Sequence, residues 1–209
     1  DKNCSLRSEA VSRLKDPEIR SSSITRGEQE KLVSILVKTE NIDLADALRD
    51  RIHGTAYCVH LAKTGKLAEV RCYFARLITD SKAIRFVLLH TDDRQVADIL
   101  MQKLEGQSSY LMLAQDASSK TVRQQAAALI TDEAVLAQLI VSDPGVFLSS
   151  LDRIREPDTL QWIEQNTDND PLLQQVRKKQ GIYVCTNCGE KSPAISCLCR
   201  FCGAENHQY

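Results

Sequence analysis

Apolar residues recur along this chain at spacings of three and four positions, which is the period of an α-helix. Examples are Ile84, Val87 and Leu88, and later Leu136, Leu139 and Ile140. These groups are short and are separated by polar turns. A short helix cannot bury its apolar face alone, so each must pack against another. The pattern predicts many short helices that pack together.

The same pattern is periodic over longer distances. The segment VRCYFARLITD at residues 70–80 recurs as VRQQAAALITD at residues 122–132, 52 positions later. Half of that interval, 26 positions, separates successive members of one set of apolar residues, except that the last interval is 24 positions. The set is Ile52, Ile78, Leu104, Ile130 and Ile154. A second set lies 18 positions after each of these: Val70, Val96, Val122, Leu148 and Leu172. The sequence therefore predicts repeats of about 26 residues, and a longer unit over residues 24–51 fits in front of them.

Each repeat is predicted to contain two helices. Helix-starting residues precede the first apolar group in several repeats: Thr79 and Asp80, Thr131 and Asp132, and Glu156 and Pro157. Asp and Thr side chains accept hydrogen bonds from the free N–H groups at a helix start, and Pro fits the first helical position. A polar turn then separates the first helix from the second, which begins near the Val-Arg position.

This spacing resembles the short HEAT-like repeats, in particular the leucine-rich-variant repeats of about 24 residues. The resemblance covers residues 24–177. It implies an all-α fold, a right-handed α-solenoid of short helical pairs in which each pair covers its neighbour. An ordinary, non-repetitive helical bundle is the alternative.

The composition agrees with helices. Only 5% of the residues are aromatic, and five prolines and eight glycines are fewer turn residues than a β-sandwich or barrel requires. No stretch is apolar enough to span a bilayer, and no signal peptide opens the chain. Because the chain begins with Asp1 rather than methionine, we expect it to be a trimmed or partial form of a longer protein.

Five of the eight cysteines fall within residues 185–202. A disulfide-stapled domain spreads its cysteines along the chain, so this cluster favours a metal site and a reducing, cytoplasmic location. The cluster contains two Cys-x-x-Cys-Gly turns, CTNCG at residues 185–189 and CRFCG at residues 199–203. In such a turn two thiolates converge on one metal ion, and the glycine lets the backbone fold back.

These paired turns resemble the short zinc-ribbon family. The resemblance implies one structural Zn²⁺ held by Cys185, Cys188, Cys199 and Cys202. Cys197 is an alternative ligand in a shifted register, but only Cys199 opens a Cys-x-x-Cys-Gly turn. Leu198 stands where the family often has an aromatic residue. Rubredoxins bind iron with similar turns inside an aromatic-rich core, which this segment lacks, so we expect zinc.

Together these signals predict three segments. Residues 1–23 are expected to form an N-terminal helical cap, residues 24–179 the HEAT-like repeat domain, and residues 180–209 the small C-terminal zinc ribbon. A closed Cys4 site has no open position for substrate or water, so the metal is expected to stabilise the segment rather than to catalyse.

The rest of the chain shows no catalytic motif. None of the four histidines, His53, His60, His90 and His207, is followed by Glu as in the di-iron HEAT-like enzymes. Cys58 and Cys72 fall at helical positions where other repeats have Tyr, Ile or Gln, and they are expected to be buried structural thiols. No phosphate-binding loop, nucleophile elbow or metalloprotease motif occurs. We therefore assign no catalytic or cofactor-binding residue and predict that the protein is not an enzyme.

The charge distribution bears on the partner. Residues 177–209 carry five cations against two carboxylates, a formal charge of +3, which leaves −4 on residues 1–176 out of the total of −1. Neither part has the basic stripe of a nucleic-acid binder. The sequence favours a scaffold or adaptor that binds a protein partner through its repeat surface. The alternatives are a nucleic-acid-associated protein that uses the ribbon, and an enzyme on a HEAT-like scaffold with a polar pocket.

Overall fold

The computed structural model describes residues 24–185, 187–193, 198–199 and 201–204. Its helices are α1 (Arg26–Lys38), α2 (Ile42–Leu48), α3 (Thr55–Thr64), α4 (Ala68–Leu77), α5 (Ser81–His90), α6 (Arg94–Met101), α7 (Gln107–Asp116), α8 (Lys120–Leu129), α9 (Glu133–Ser142), α10 (Pro144–Phe147), α11 (Pro157–Gln165) and α12 (Asp170–Lys179). The 3₁₀ turns Arg49–Arg51 and Leu148–Arg153 follow α2 and α10. Strands β1 (Ile182–Val184) and β2 (Lys191–Pro193) come last. The N-terminal cap predicted for residues 1–23 lies outside the described residues.

The helices follow the predicted period. The first helices of four successive pairs begin at Thr55, Ser81, Gln107 and Glu133, each one predicted repeat length after the one before. The second helices begin at Ile42, Ala68, Arg94 and Lys120 with the same constant interval, and the next begins slightly early, at Pro144. The prediction of an all-helical part built from pairs of short helices is confirmed.

Contacts between helices run mainly between near neighbours in sequence. The chain divides into two compact units, Asp1–Arg123 and Gln124–Tyr209. Within the first unit α1 contacts α3, α3 contacts α5, and α5 contacts α7. In addition, α3 packs on α4, and α4 packs on α6. Within the second unit α9 packs on α11, α11 on α12, and α12 on β1. Each unit therefore packs as the repeat pattern predicts, with successive pairs covering one another.

Helix starts use the predicted capping residues. The carboxylate of Asp80 accepts a hydrogen bond from the backbone N–H of Ala83 at 2.7 Å, and that of Asp132 accepts from Ala134 at 2.9 Å. Pro157 occupies the first turn of α11. Further caps come from Thr25, Asn41, Asp93, Asp143 and Asn169. Each satisfies amide donors that the helix cannot bond itself.

The first predicted set of apolar residues is buried at every position, and the second set is buried at every position but one. Ile52, Ile78, Leu104, Ile130 and Ile154 are all buried, with at most 3% exposure. In the second set Val70, Val96, Val122 and Leu172 are buried, but the side chain of Leu148 is 36% exposed. Val146 takes its place, at 5% exposure. This repeat is two residues shorter than the others. The two residues are missing before its second helix, whereas the sequence pattern predicts that they are missing after it.

A recurring cation binds the end of the preceding repeat, and sequence reasoning did not identify it. Lys103 Nζ donates to the carbonyl oxygens of Ala75 at 3.3 Å, Arg76, and Ile78 at 2.9 Å, all at the C-terminal end of α4. Arg153 donates in the same way to Ala127 at 2.7 Å and to Ile130. Both cations stand directly before a buried repeat position, Leu104 or Ile154. They satisfy carbonyl groups that a helix end leaves free and oppose its negative dipole end.

We expect the substitution Lys103→Met to destabilise the helical part by about 1–2 kcal/mol, because three carbonyl groups lose a charged donor. Methionine keeps most of the side-chain length, so packing changes little. The control is Lys31→Met, at an exposed position on α1. Urea unfolding followed by circular dichroism measures both. Equal losses for the two variants would contradict the interpretation.

Candidate metal centre

The first cysteine turn sits at the tip of a β-hairpin. β1 follows α12 and pairs antiparallel with β2, with Val184 opposite Lys191. Between them, the N–H of Cys185 donates to Glu190 O at 3.0 Å, and the N–H of Gly189 donates to Cys185 O at 2.8 Å. These two bonds close the turn and hold Cys185 and Cys188 on the same side of it.

The second cysteine turn repeats this geometry. The N–H of Cys199 donates to Ala204 O at 2.8 Å, and the N–H of Gly203 donates to Cys199 O at 2.8 Å. Gly189 and Gly203 have φ of 74° and 72°, in the left-handed region that favours glycine. Two turns with the same hydrogen bonds and the same glycine conformation thus carry the four cysteines.

The four sulfur atoms converge. All lie within 4.8 Å of one another, with Cys185 Sγ 3.6 Å from Cys202 Sγ and Cys188 Sγ 3.7 Å from Cys199 Sγ. A tetrahedral site with metal–sulfur distances of about 2.3 Å needs sulfur atoms about 3.8 Å apart. The set therefore has the number, type and spacing of donors that can hold one metal ion. Cys197, the alternative ligand, lies outside the described residues.

The two members of each turn differ in exposure, and the two exposed cysteines differ in pKa. Cys185 and Cys199 are buried, and Cys188 and Cys202 are exposed. The backbone N–H of Ala204 and the side-chain amide of Asn187 lower the pKa of Cys202 to about 6. At Cys188 the N–H of Glu190 favours the thiolate, but desolvation and the three other sulfurs raise its pKa to about 12. Four thiolates at this spacing repel one another, and a metal dication offsets that repulsion.

Asn187 reaches across the site. Its Nδ2 lies 3.6 Å from Cys202 Sγ, so the first turn donates a hydrogen bond to a sulfur of the second. Such contacts orient ligands and spread the charge of the thiolate. Nothing in the sequence distinguished Asn187 from any polar residue within a Cys-x-x-Cys turn.

An ion-pair network joins the hairpin to the last helical pair. Glu164 on α11 accepts from Arg177 Nε on α12 at 2.9 Å and from Lys191 Nζ on β2 at 2.6 Å. The carboxylate is only 11% exposed, and the bond from Lys191, followed by that from Arg177, holds its pKa below the usual range. This network fixes the hairpin against both helices. The three residues are 13 to 27 positions apart, and sequence reasoning did not connect them.

Other residues considered from the sequence do not gather into a second site. In the described part of the chain, the cysteine cluster is the one place where three or more possible ligands (His, Cys, Asp or Glu side chains) lie close enough together to hold a metal ion. His53 and His60 are exposed, and His90 Nδ1 lies 2.8 Å from Phe86 O. Cys58 and Cys72 are buried, as predicted, and burial raises the pKa of both thiols. His207 lies outside the described residues.

Within the described residues no helix combines the length and the apolar character needed to cross a membrane. Comparison of the chain with protein-family models, with curated proteins and with solved structures found no match. The function is therefore inferred from the local geometry of the cysteine turns and of the helical pairs.

Proposed function

We propose that this protein is a non-enzymatic scaffold or adaptor, which binds a protein partner through its HEAT-like repeat surface and carries a structural zinc ribbon at its C-terminal end. The observation that carries the zinc assignment is the convergence of Cys185, Cys188, Cys199 and Cys202 from two turns of equal geometry. Four protein ligands complete a tetrahedral shell, so the ion has no open position for catalysis.

Zinc is favoured over iron by the surroundings of the site. A rubredoxin-type iron site lies in an aromatic core, whereas Phe201, between the second pair of ligands, is 59% exposed. Its ring therefore offers no closed apolar shell around the sulfurs. A structural zinc site needs none, because the metal itself supplies the stability that so small a segment lacks.

The titratable groups favour a scaffold over an enzyme. Within the described residues every carboxyl group with a shifted pKa is shifted downward. The backbone N–H groups of Glu156 and Arg155 lower the pKa of Glu133, and the pKa of Asp93 is lowered by Arg71 and two backbone amides despite desolvation. These groups are ionised acceptors of hydrogen bonds from backbone N–H groups and from cationic side chains. A general acid needs the opposite shift.

The ribbon also offers little for phosphate. Two of the cations that give the C-terminal segment its positive charge, Arg177 and Lys191, both pair with Glu164. Phosphate contacts supply most non-specific affinity for nucleic acid, and paired cations supply less of it. A protein partner that uses apolar and mixed polar contacts fits the repeat surface better.

We expect the full chain, loaded with zinc, to show weak binding of labelled DNA and RNA that disappears by about 0.15 M salt. Fluorescence anisotropy at low and at physiological salt measures this. Sub-micromolar binding that persists at physiological salt would contradict the scaffold proposal and support the nucleic-acid alternative.

A further inference from the structure

Phe86 on α5 has the most exposed large apolar side chain among the described helical residues, with 47% exposure. Its ring is nevertheless held in place. Lys63 Nζ on α3 lies 4.5 Å from the ring centroid, and the His90 ring lies 4.8 Å away at an interplanar angle of 46°. An exposed aromatic ring that is already fixed loses little conformational entropy when a partner covers it.

The charges on the helix that carries this ring and on the helix of its lysine contact are of one sign. Helices α3 and α5 contain Lys63, Lys82 and Arg85 and no acidic residue, although the chain as a whole has a net charge of −1. Among the described residues, no carboxylate forms an ion pair with Lys63 or Lys82. Lys82, Phe86 and His90 follow at intervals of four and share one face of α5. Lys63 therefore contacts the ring and Lys82 lies one helical turn before it on the same face, and neither lysine has an ion-pair partner among the described residues.

An exposed or partly exposed side chain recurs at the position of Phe86 in three helices. His60, Phe86 and Met112 are separated by one repeat length each and occupy the same position on α3, α5 and α7. Those helices contact one another in succession, so the three side chains form a line, which we call the His60–Met112 ridge. His60 is exposed and Met112 partly so. A methionine side chain adapts to different apolar surfaces.

We propose that the His60–Met112 ridge, with Lys63 and Lys82 beside it, binds an acidic peptide segment of a partner protein that carries an apolar or aromatic anchor. The proposal rests on the scaffold function and names the chemistry of its partner. The anchor packs on Phe86 and Met112, and carboxylates on both sides of it pair with Lys63 and Lys82. Aromatic anchors and charges of complementary sign are the usual determinants of such interfaces.

Nucleic acid fits this surface less well. The three cations of α3 and α5 can neutralise only a few phosphates, so the affinity would be weak and would fall steeply with salt. Arg85 is also engaged, since its Nη1 donates to Ser109 Oγ at 3.3 Å. An apolar anchor on Phe86 supplies affinity that salt does not screen.

A random peptide display library selected on the full, zinc-loaded chain at about 0.15 M salt tests the proposal. Enriched peptides should be net acidic with at least one aromatic or large aliphatic residue. Phe86→Ala and Lys63→Gln should each weaken the binding of an enriched peptide by ~10-fold or more. Leu77→Ala and Lys120→Gln are the matched controls, an exposed leucine on α4 and an exposed lysine on α8, and should change it by less than ~2-fold.

Enrichment of neutral or basic peptides, or of none, would overturn the proposal. Peptides that bind the Phe86→Ala and Lys63→Gln variants as well as the unaltered chain would also overturn it, while leaving the scaffold function intact. A labelled oligonucleotide whose binding needs Phe86 and Lys63 at physiological salt would overturn both. The two proposals thus fail in different ways.

Discussion

Replacing Cys199 with serine should abolish stoichiometric zinc binding, whereas the unaltered protein, purified without chelator, should contain one zinc ion per chain. Cys199 Sγ lies within 4.8 Å of the other three sulfurs, and the backbone of Cys199 makes both hydrogen bonds that close the second turn. A serine hydroxyl is a poor ligand for zinc at neutral pH. Since even changes to residues that only support the ligands typically cost ~10–100-fold in metal affinity, we expect a loss of more than ~100-fold. Elemental analysis and competition with a chromogenic chelator measure it.

The matched control is Cys197→Ser. Cys197 does not open a Cys-x-x-Cys-Gly turn, so its replacement should leave the zinc content unchanged. Loss of zinc in Cys197→Ser with retention in Cys199→Ser would mean that the ligand register is wrong. Iron in the unaltered protein, or no metal at all, would contradict the zinc assignment itself.

Removal of the metal should act locally. The hairpin depends on the two cysteine turns, whereas the helices have their own buried core. Far-ultraviolet circular dichroism of Cys199→Ser should therefore stay close to that of the unaltered chain. Release of the hairpin would also expose Glu164 by breaking its bond with Lys191, so small local changes near α11 are expected.

The helical pairs were predictable because the period of a repeat is visible in single residues. The position occupied by Ile52, Ile78 and Leu104 must be buried in every repeat, since the next pair packs over it. The capping residues were predictable for a similar reason, because Asp80 and Asp132 satisfy N–H groups within three positions of themselves. Likewise, the Cys-x-x-Cys-Gly spacing identified the four sulfurs that converge.

What the sequence did not reveal are contacts over long sequence separations between residues of common type. Lys103 bonds carbonyl groups 25 to 28 positions earlier, and Glu164 joins residues on α12 and β2. Lys and Glu occur throughout the chain, mostly in solvent, so identity alone marks none of them. Their partners depend on how each repeat packs against the preceding repeat, and only the folded structure shows that packing.

The shifted position in the fifth repeat has a physical cause. Asp143 caps α10 and Pro144 begins it, so this helix starts two residues earlier than the repeat period requires. It is only four residues long and continues as a 3₁₀ turn, Leu148–Arg153, in which side chains recur every three residues. Val146 and Phe147 consequently point into the core, while Leu148 turns outward. A count of 18 from Ile130 could not anticipate this change of helix type.

The burial of Val146 and the exposure of Leu148 can be tested by substitutions in the core, one of which has a large expected effect. Leu136→Ala should destabilise the protein by about 2–5 kcal/mol, because Leu136 on α9 is 1% exposed and its removal leaves a cavity. Leu148→Ala makes the same chemical change where the side chain is 36% exposed, and should cost less than about 1 kcal/mol. Val146→Ala, at the position that replaces Leu148 in the core, should cost more than Leu148→Ala although it removes fewer atoms. Urea unfolding followed by circular dichroism gives the three free energies, and a larger loss for Leu148→Ala than for Val146→Ala would restore the register expected from the sequence.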